Sequence, residues 1–145
     1  MTTVAHVLQG KGHDVYSISP DAPVYDALKR MAEKDVGALI VLEGQRLVGI
    51  MSERDYARKV ILHGKSPSNT PVREIMSDKV FFVRPEQTIE ECMALMTDKH
   101  IRHLPVFQGE KLIGVISIGD VVKAMISDRE FQIRQLETYI TGSYS

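Results

Sequence analysis

Apolar residues follow two alternating patterns along the first half of the chain. One is the helical spacing i, i+3, i+4, i+7, found at Val24, Ala27, Leu28 and Met31. The other is a short apolar run rich in β-branched residues. It occurs twice, as ALIVL and RLVGIM, and the Gly-containing stretch EGQ lies between the two runs. The first pattern predicts one apolar stripe along a helix, and the second predicts a β-hairpin. The predicted order is strand, helix, strand, strand, helix.

The whole pattern occurs twice. Residues 15–61 align with residues 80–126 without a gap at a constant offset of 65, and 12 of the 47 aligned positions are identical. A Ser-x-x-Asp motif begins at Ser52 in the first copy and at Ser117 in the second. Self-similarity at a fixed period indicates a structural unit that was copied whole.

This duplication predicts the organisation of the chain. A short lead-in precedes each unit, TVAHVL before the first and PVREIM before the second. The first unit with its lead-in is expected over residues 1–62, a Gly-, Ser- and Pro-rich linker over 63–71, and the second unit over 72–127. A unit of about 50 residues buries little surface alone. The predicted fold class is therefore α+β, with two β-α-β-β-α units related by a pseudo-two-fold axis and their sheets packed face to face.

A C-terminal amphipathic helix and tail are predicted over residues 128–145. The residues that indicate this helix are Phe131, Gln135, Leu136, Tyr139 and Ile140, which suit one apolar face. Nothing equivalent follows the first unit. In the second unit, Thr88 is the predicted N-cap of the first helix, because Glu91 follows three residues later. Short first strands are predicted at residues 15–18 and 80–83.

Composition and charge narrow the possible functions. With 18 basic and 19 acidic residues the chain is nearly neutral, which disfavours nucleic-acid binding through phosphate neutralisation. No apolar run approaches the roughly 18 residues that span a membrane, and the start MTTVAHVLQG does not resemble a signal peptide. The single cysteine, Cys92, cannot form an internal disulfide. We therefore expect a cytoplasmic protein with no nucleic-acid or membrane partner.

Catalytic and metal-binding patterns are not visible. The five histidines lack metal-ligand spacing with cysteines or carboxylates. Local context suggests no Ser-His-Asp or Cys-His set, and Cys92 lies on the apolar stripe of a predicted helix. The sequence predicts no metal, no catalytic cofactor and no enzyme activity.

Ser52 and Asp55 stand where an apolar strand meets a helix, and they admit two interpretations. As a capping box, the serine caps the helix and the aspartate favours the positive end of the macrodipole. As a binding site, the aspartate accepts hydrogen bonds from the vicinal hydroxyls of a ribose, while the serine and free backbone N–H groups meet a phosphate. The two interpretations are compatible, because both use the same geometry.

The duplicated unit, the stretches RLVGIMSERD and KLIGVISIGD, and IRHLPVF in the second copy resemble the cystathionine-β-synthase (CBS) domain pair, or Bateman module. The resemblance covers nearly the whole chain, and standalone pairs of this kind are common in bacteria. It implies a regulatory module that binds adenosine-containing ligands such as AMP, ADP, ATP, NAD or S-adenosylmethionine in the cleft between two units. It also implies a disc-like homodimer that signals to an unknown regulated protein.

The resemblance assigns ribose binding to Asp55 and Asp120, each accompanied by its motif serine, Ser52 or Ser117. This assignment favours the binding interpretation of the motif. The capping role is retained beside it.

The resemblance also assigns residues that reach a ligand held by the other unit's aspartate. Arg102 and His103, just before Pro105, would make phosphate contacts at the Asp55 site. Gly37 and Ala38, at the equivalent positions of the first copy, would serve the Asp120 site. The alternative for the Arg-His pair is an ordinary solvated surface position.

The two sites are expected to be unequal, because the copies diverge inside the motif. Arg54, and Arg58 one turn later, would add positive charge beside a phosphate. The Asp55 site is therefore predicted to hold phosphate more tightly, and the Asp120 site to be more apolar, although Arg102 and His103 border it too.

The adenine base needs a flat apolar slot. By family position, the residues that would form the slots are Tyr16, Val36, Phe81 and Ile101. Simple core packing explains them equally well.

Three functions are weighed. The first is a non-catalytic sensor of adenosine nucleotides. The second is an interaction or scaffold dimer that kept the fold without the ligand, and the third, an enzyme, has the least support.

Overall fold

The computed structural model describes the backbone of residues 1–141 and the side chains of residues 1–138. Its elements, in chain order, are helix α1 (Val4–Lys11), strand β1 (Ser17–Ile18), helix α2 (Val24–Lys34), strand β2 (Ala38–Glu43), strand β3 (Arg46–Ser52), helix α3 (Glu53–Tyr56), helix α4 (Ile89–Lys99), strand β4 (His103–Gln108), strand β5 (Lys111–Ser117) and helix α5 (Ile118–Thr141). A π-helical turn, Ala57–Ile61, continues α3, and a 3-10 turn spans Val72–Glu74. The predicted α+β class is confirmed.

These elements form two compact units. The Asp55 unit comprises Val15–Phe81, and the Asp120 unit comprises Met1–Asp14 together with the chain from Phe82 onward. The lead-in of each copy therefore packs in the unit of the other copy. Helix α1 belongs with the second copy, and the turn at Val72–Glu74 belongs with the first. The sequence repeat marks what was duplicated, whereas the compact units mark what packs together.

The exchanged lead-ins form equivalent isolated backbone bridges in the two units. In the Asp120 unit, Thr3 forms an antiparallel bridge with Thr88, the N-cap of α4. In the Asp55 unit, Pro71 forms the equivalent bridge with Pro23, the N-cap of α2. Each lead-in thus joins the start of the first long helix in the unit where it packs.

A glycine in each hairpin makes room for the lead-in. A Cβ placed on Gly49 would lie 2.7 Å from the Met76 sulfur and 2.9 Å from the Ser77 carbonyl oxygen. A Cβ on Gly114 would lie 2.7 Å from a terminal carbon of Leu8. The glycine three residues before each motif serine is therefore required by close packing, not by turn conformation.

The two sheets differ in their first strand. In the Asp55 unit, β1 pairs parallel with β2, and β2 pairs antiparallel with β3. In the Asp120 unit, β4 and β5 form the equivalent hairpin, but the strand predicted at residues 80–83 is reduced to one parallel bridge from Val83 to Val106. The N–H of Ile40 donates to Tyr16 in the first ladder at 3.1 Å. Its counterpart in the second copy is Pro105, which has no N–H to donate.

The turns and helix ends confirm the local predictions. Gly44 and Gly109 occupy positive φ at the two hairpin turns, with angles of 65° and 63°. Asp35 and His100 end α2 and α4 in the left-handed conformation, at equivalent positions of the repeat. The predicted cap at Thr88 is confirmed, because its side chain accepts the Glu91 N–H at 3.2 Å.

Each unit buries its own apolar cluster. In the Asp55 unit the buried residues are Val24, Ala27, Met31, Leu39, Val41, Met51, Val60, Val72 and Ile75. In the Asp120 unit they include Val4, Leu8, Val83, Ile89, Cys92, Met96, Leu104, Val106, Ile116 and Val121. Both clusters contain residues of the exchanged lead-in, so removal of a lead-in would open the core of the unit that holds it.

Helix α5 is continuous through the predicted boundary at residue 128. No glycine or proline lies between Gly119 and Gly142, so nothing in the sequence interrupts it. The side chains of Tyr139 and Ile140, and residues 142–145 of the predicted tail, lie outside the described residues. Among the helices described, none is both long and apolar enough to cross a bilayer. The cytoplasmic location stays a prediction.

Candidate functional site

The first Ser-x-x-Asp motif joins β3 to α3 as a reciprocal capping box. The Asp55 N–H donates to the Ser52 hydroxyl oxygen at 3.2 Å. In return, Asp55 Oδ2 accepts the Ser52 N–H at 2.9 Å and the Ser52 hydroxyl at 3.1 Å. The capping role predicted from the sequence is confirmed, and it fixes the carboxylate at the beginning of a helix.

The second motif repeats this geometry between β5 and α5. Asp120 Oδ2 accepts the Ser117 N–H at 2.9 Å, and the Asp120 N–H donates to the Ser117 hydroxyl at 3.2 Å. Two carboxylates are thus held in the same way at equivalent places of the two units.

A lysine lies on the Asp55 carboxylate. Lys59 Nζ is 3.1 Å from Asp55 Oδ1 and donates to the Ile75 carbonyl at 2.9 Å. Lys59 follows Asp55 by four residues, so both side chains occupy one face of the helix. The i, i+4 spacing of this pair is readable from the sequence alone.

A different lysine lies on the Asp120 carboxylate. The position equivalent to Lys59 is Ala124, which carries no charge. Lys11, at the end of α1, takes its place: Nζ is 2.6 Å from Asp120 Oδ2 and donates to the Val115 carbonyl at 2.9 Å. No local pattern links residues so far apart, so sequence analysis missed this contact. The Asp120 site is consequently more cationic than the comparison of the copies predicts.

The charges around Asp120 shift two pKa values. Burial raises the pKa of Asp120, but the hydrogen bonds from Lys11 and the Ser117 N–H outweigh it and hold the pKa below its ordinary value. The pKa of His103 is lowered, chiefly by burial and further by Lys11 and Arg102, while Asp120 acts in the opposite direction. Near neutral pH the site therefore presents a carboxylate and a neutral imidazole.

Two segments of the chain, residues 11–61 and 72–127, match the CBS domain family. The chain belongs to the CBS-domain family. Together the matched segments cover more than half of the chain, and the recognition made from the duplicated motif is confirmed.

Known proteins similar to this CBS pair cover most of its length. The mitochondrial CBS domain-containing protein CBSX3 of Arabidopsis thaliana is 41% identical over 152 residues, covering 99% of this chain and 74% of the plant protein. The CBS domain-containing protein YhcV of Bacillus subtilis is 31% identical over 114 residues, covering 79% of this chain and 81% of YhcV.

Solved structures agree with the fold. A candidate signal-transduction protein with CBS domains from Burkholderia ambifaria superposes with a TM-score of 0.85 at 53% identity, covering 88% of this chain and 96% of that one. A hexameric CBS-CP12 protein from bloom-forming cyanobacteria superposes with a TM-score of 0.74 at 29% identity, covering 99% of this chain and 86% of that one. The tandem CBS architecture is confirmed by these likenesses.

The residues at the start of each hairpin lie beside the motif of their own CBS unit. Ala38 pairs with Ser52, and His103 pairs with Ser117. The carbonyl of Gly37 accepts the first helical N–H of α3 at 3.0 Å, and the carbonyl of Arg102 accepts that of α5 at 2.8 Å. The structure therefore gathers each pair with the serine of its own unit. The assignment of each pair to the other unit's ligand stays a prediction.

Three further predicted site residues, Arg54, Arg58 and Pro105, differ in their exposure to solvent. Arg54, in α3, is partly buried, and Arg58, in the π-helical turn that continues α3, is exposed. Pro105 is buried within β4, where it belongs to the core of the hairpin.

The residues predicted to form the base slots are all partly buried. The Tyr16 ring lies near two cations of α2, with Arg30 at 5.8 Å and Lys34 at 5.4 Å from its centroid. Val36 and Ile101 donate their N–H groups to the last turns of α2 and α4, each at 3.0 Å. Phe81, at the end of the Asp55 unit, is likewise partly covered. Core packing and base binding remain equally compatible with these positions.

Metal and thiol chemistry find little support in the described residues. They contain no cluster of three or more His, Cys, Asp or Glu side chains that could hold a metal ion. Cys92 is buried in α4, and burial, helped by Glu91 and Glu90, raises the pKa of its thiol to about 11. The thiol is therefore protonated near neutral pH, and the prediction that Cys92 is a core residue is confirmed.

Proposed function

We propose that this CBS pair is a non-catalytic regulatory module that senses adenosine nucleotides, with AMP, ADP, ATP and NAD as the favoured ligands and S-adenosylmethionine as a further candidate. The ribose would be bound by Asp55 and Asp120, and the signal would pass through a homodimer to a regulated protein. The observation that carries the proposal is the twofold occurrence of one carboxylate geometry, each at the start of a helix that follows a strand.

The chemistry of the motif suits a vicinal diol. An ionised carboxylate accepts hydrogen bonds and donates none, so it pairs naturally with two neighbouring hydroxyl groups. One oxygen of each motif aspartate is already held by the N–H of its serine. The carboxylate therefore stays oriented before a ligand arrives, and binding does not have to pay for ordering it.

The family supports a regulatory role. CBS pairs are generally regulatory or signal-transduction modules that bind adenosine ligands. The Burkholderia ambifaria relative is a candidate signal-transduction protein. A regulatory ligand must bind two states of its receptor with different affinity, and the pairing of each motif with a lysine offers a contact that ligand binding can change.

Calorimetric titration of the purified protein with AMP, ATP, NAD and S-adenosylmethionine tests the proposal, with a thermal shift as the second readout. We expect heat and an increased Tm with at least one of the four ligands, because binding to the folded state alone raises stability. The matched control is Asp55→Asn/Asp120→Asn, which keeps an oxygen for each serine N–H but removes both charges. Absence of heat and shift with every ligand would refute the sensor function.

A scaffold dimer without ligand is the second candidate, and one observation favours it. Helix α5 exposes large apolar side chains at Val122, Ile126, Phe131, Ile133 and Leu136. Apolar residues at such spacing suit a protein–protein contact. A double-aspartate variant that retains its oligomeric state and its partner binding would support this function over the sensor.

A further inference from the structure

The contact between Lys11 and Asp120 determines what kind of ligand this site can accept. We propose that Lys11 makes the Asp120 site selective for adenosine compounds that carry an anionic group over the uncharged nucleoside. The inference rests on the proposed function, because it assumes that Asp120 binds the ribose.

The first step is competition for one carboxylate. Asp120 Oδ2 already receives two donors, the Ser117 N–H at 2.9 Å and Lys11 Nζ at 2.6 Å. The serine donor is backbone and is fixed by the capping box, whereas the ammonium is carried on a flexible side chain. A vicinal diol that uses both carboxylate oxygens therefore competes at Oδ2 with Lys11, which is the movable donor.

The second step is that the ammonium can move while α1 stays in place. Helix α1 is anchored by Val4 and Leu8, which are 0% and 1% exposed. Lys11 is the last residue of the helix, and its side chain is 36% exposed. Its four-carbon stem allows the ammonium to leave Asp120 without disturbing the core of the unit.

The third step is the difference between the two kinds of ligand. When a nucleoside displaces Lys11, the ammonium loses an ionic partner and receives nothing in exchange. A nucleotide that displaces it offers a phosphate, which restores a charge-assisted hydrogen bond. The same lysine thus opposes adenosine and favours AMP. In the Asp55 unit, Lys59 likewise contacts the carboxylate, at Oδ1, so the inference is tested with the Asp120 site as the only motif carboxylate.

Titrations with adenosine and AMP test the inference in the Asp55→Asn protein, in which only the Asp120 site keeps its carboxylate. Lys11→Met removes the ammonium and retains the apolar stem. The control is Lys111→Met, which removes an equal charge at the exposed start of β5. The measured quantity is the ratio of the adenosine Kd to the AMP Kd.

We expect the ratio to fall about fivefold in Lys11→Met, the upper size of one partly exposed ion pair. Adenosine should bind more tightly and AMP more weakly, while Lys111→Met leaves the ratio unchanged. An unchanged ratio in Lys11→Met, or an equal loss for both ligands, would overturn the inference and leave the proposed function standing. Failure of the wild-type protein to bind AMP, ATP, NAD and S-adenosylmethionine would overturn both.

Discussion

Asp55 and Asp120 each combine a structural role with the proposed binding role. In each, Oδ2 accepts the N–H of the motif serine, Ser52 or Ser117, and thereby stabilises the start of a helix. Alanine at these positions would remove the charge and the acceptor of the serine N–H together, and a lost hydrogen bond of this kind costs about 1 kcal/mol. The serine hydroxyl would still accept the backbone N–H of residue 55 or 120. Asparagine keeps an acceptor for the serine N–H, so it separates the loss of the ligand-binding charge from the loss of that hydrogen bond.

The two strand glycines should tolerate alanine unequally. At Gly49 the added carbon meets the Ser77 backbone oxygen at 2.9 Å as well as Met76. At Gly114 it meets only the end of the Leu8 side chain among its nearest neighbours. Because a backbone oxygen yields less easily than a flexible side chain, we expect Gly49→Ala to destabilise the protein by about 2 kcal/mol, with a smaller loss for Gly114→Ala.

Urea denaturation of the two variants at one temperature measures this difference. Each variant serves as the control for the other, because the substitutions are identical and the sites are equivalent in the repeat. Equal losses of unfolding free energy, or a greater loss at Gly114, would show that Met76 and Ser77 do not pack against Gly49 as closely as the structure describes.

His103 should make stability depend on pH. Its folded-state pKa lies below the ordinary 6.5, chiefly because of burial and then because of Lys11. Below pH 6.5 the unfolded chain therefore takes up a proton that the folded chain does not. The contribution of His103 is complete above pH 6.5 and is lost as the pH falls towards the folded-state pKa.

The comparison is between wild type and His103→Gln, unfolded by urea at about pH 7.5 and 5.5. The other histidines are common to both proteins, so the difference between the two pH dependences reports on His103. We expect the wild type to lose more stability on acidification than the variant. A greater loss in His103→Gln would contradict the described burial and charge environment.

At the scale of elements, α5 offers the clearest prediction for assembly. Ile133 and Leu136 are 46% and 61% exposed. Substituting an exposed residue by lysine changes stability by less than about 0.5 kcal/mol but places a charge in any apolar contact that covers it. We expect Ile133→Lys/Leu136→Lys to remain folded and to lose the proposed dimer, with a Tm lowered only by the loss of association.

Sedimentation equilibrium measures the mass of both proteins, and Lys123→Glu on the same helix is a charge-changing control. A wild-type protein that sediments as a monomer would contradict the proposed dimer. A variant that remains dimeric would move the interface away from this part of α5.

The elements that sequence predicts well are those with strong local signals. The spacing of apolar residues identifies α2 and α4, and glycine at positive φ marks both hairpin turns. The second copy of the first strand was predicted wrongly as a regular strand. A regular strand does not form there because Pro105 has no N–H to donate to it. The equivalent residue of the first copy, Ile40, donates its N–H to Tyr16 in the first strand segment. A proline in the partner strand is readable only once the pairing is known.

At the scale of the whole molecule, the duplication predicts the family and the two motifs but not the exchange of lead-ins. A lead-in such as Val4–Lys11 carries no local mark that tells which unit it joins, because both copies bury similar apolar residues. The same limit hides Lys11 from the sequence analysis of the Asp120 site, since their contact joins residues 109 positions apart. Lys59, by contrast, lies one helical turn from Asp55.

The central claim is that the two motif aspartates bind adenosine nucleotides. The most direct measurement is an AMP titration of four proteins: the wild type, Asp55→Asn, Asp120→Asn and the double variant. Circular dichroism on the same samples checks that the helices remain. We predict two AMP sites in the wild type, one in each single variant and none in the double variant. AMP binding to the double variant with wild-type affinity would contradict the account.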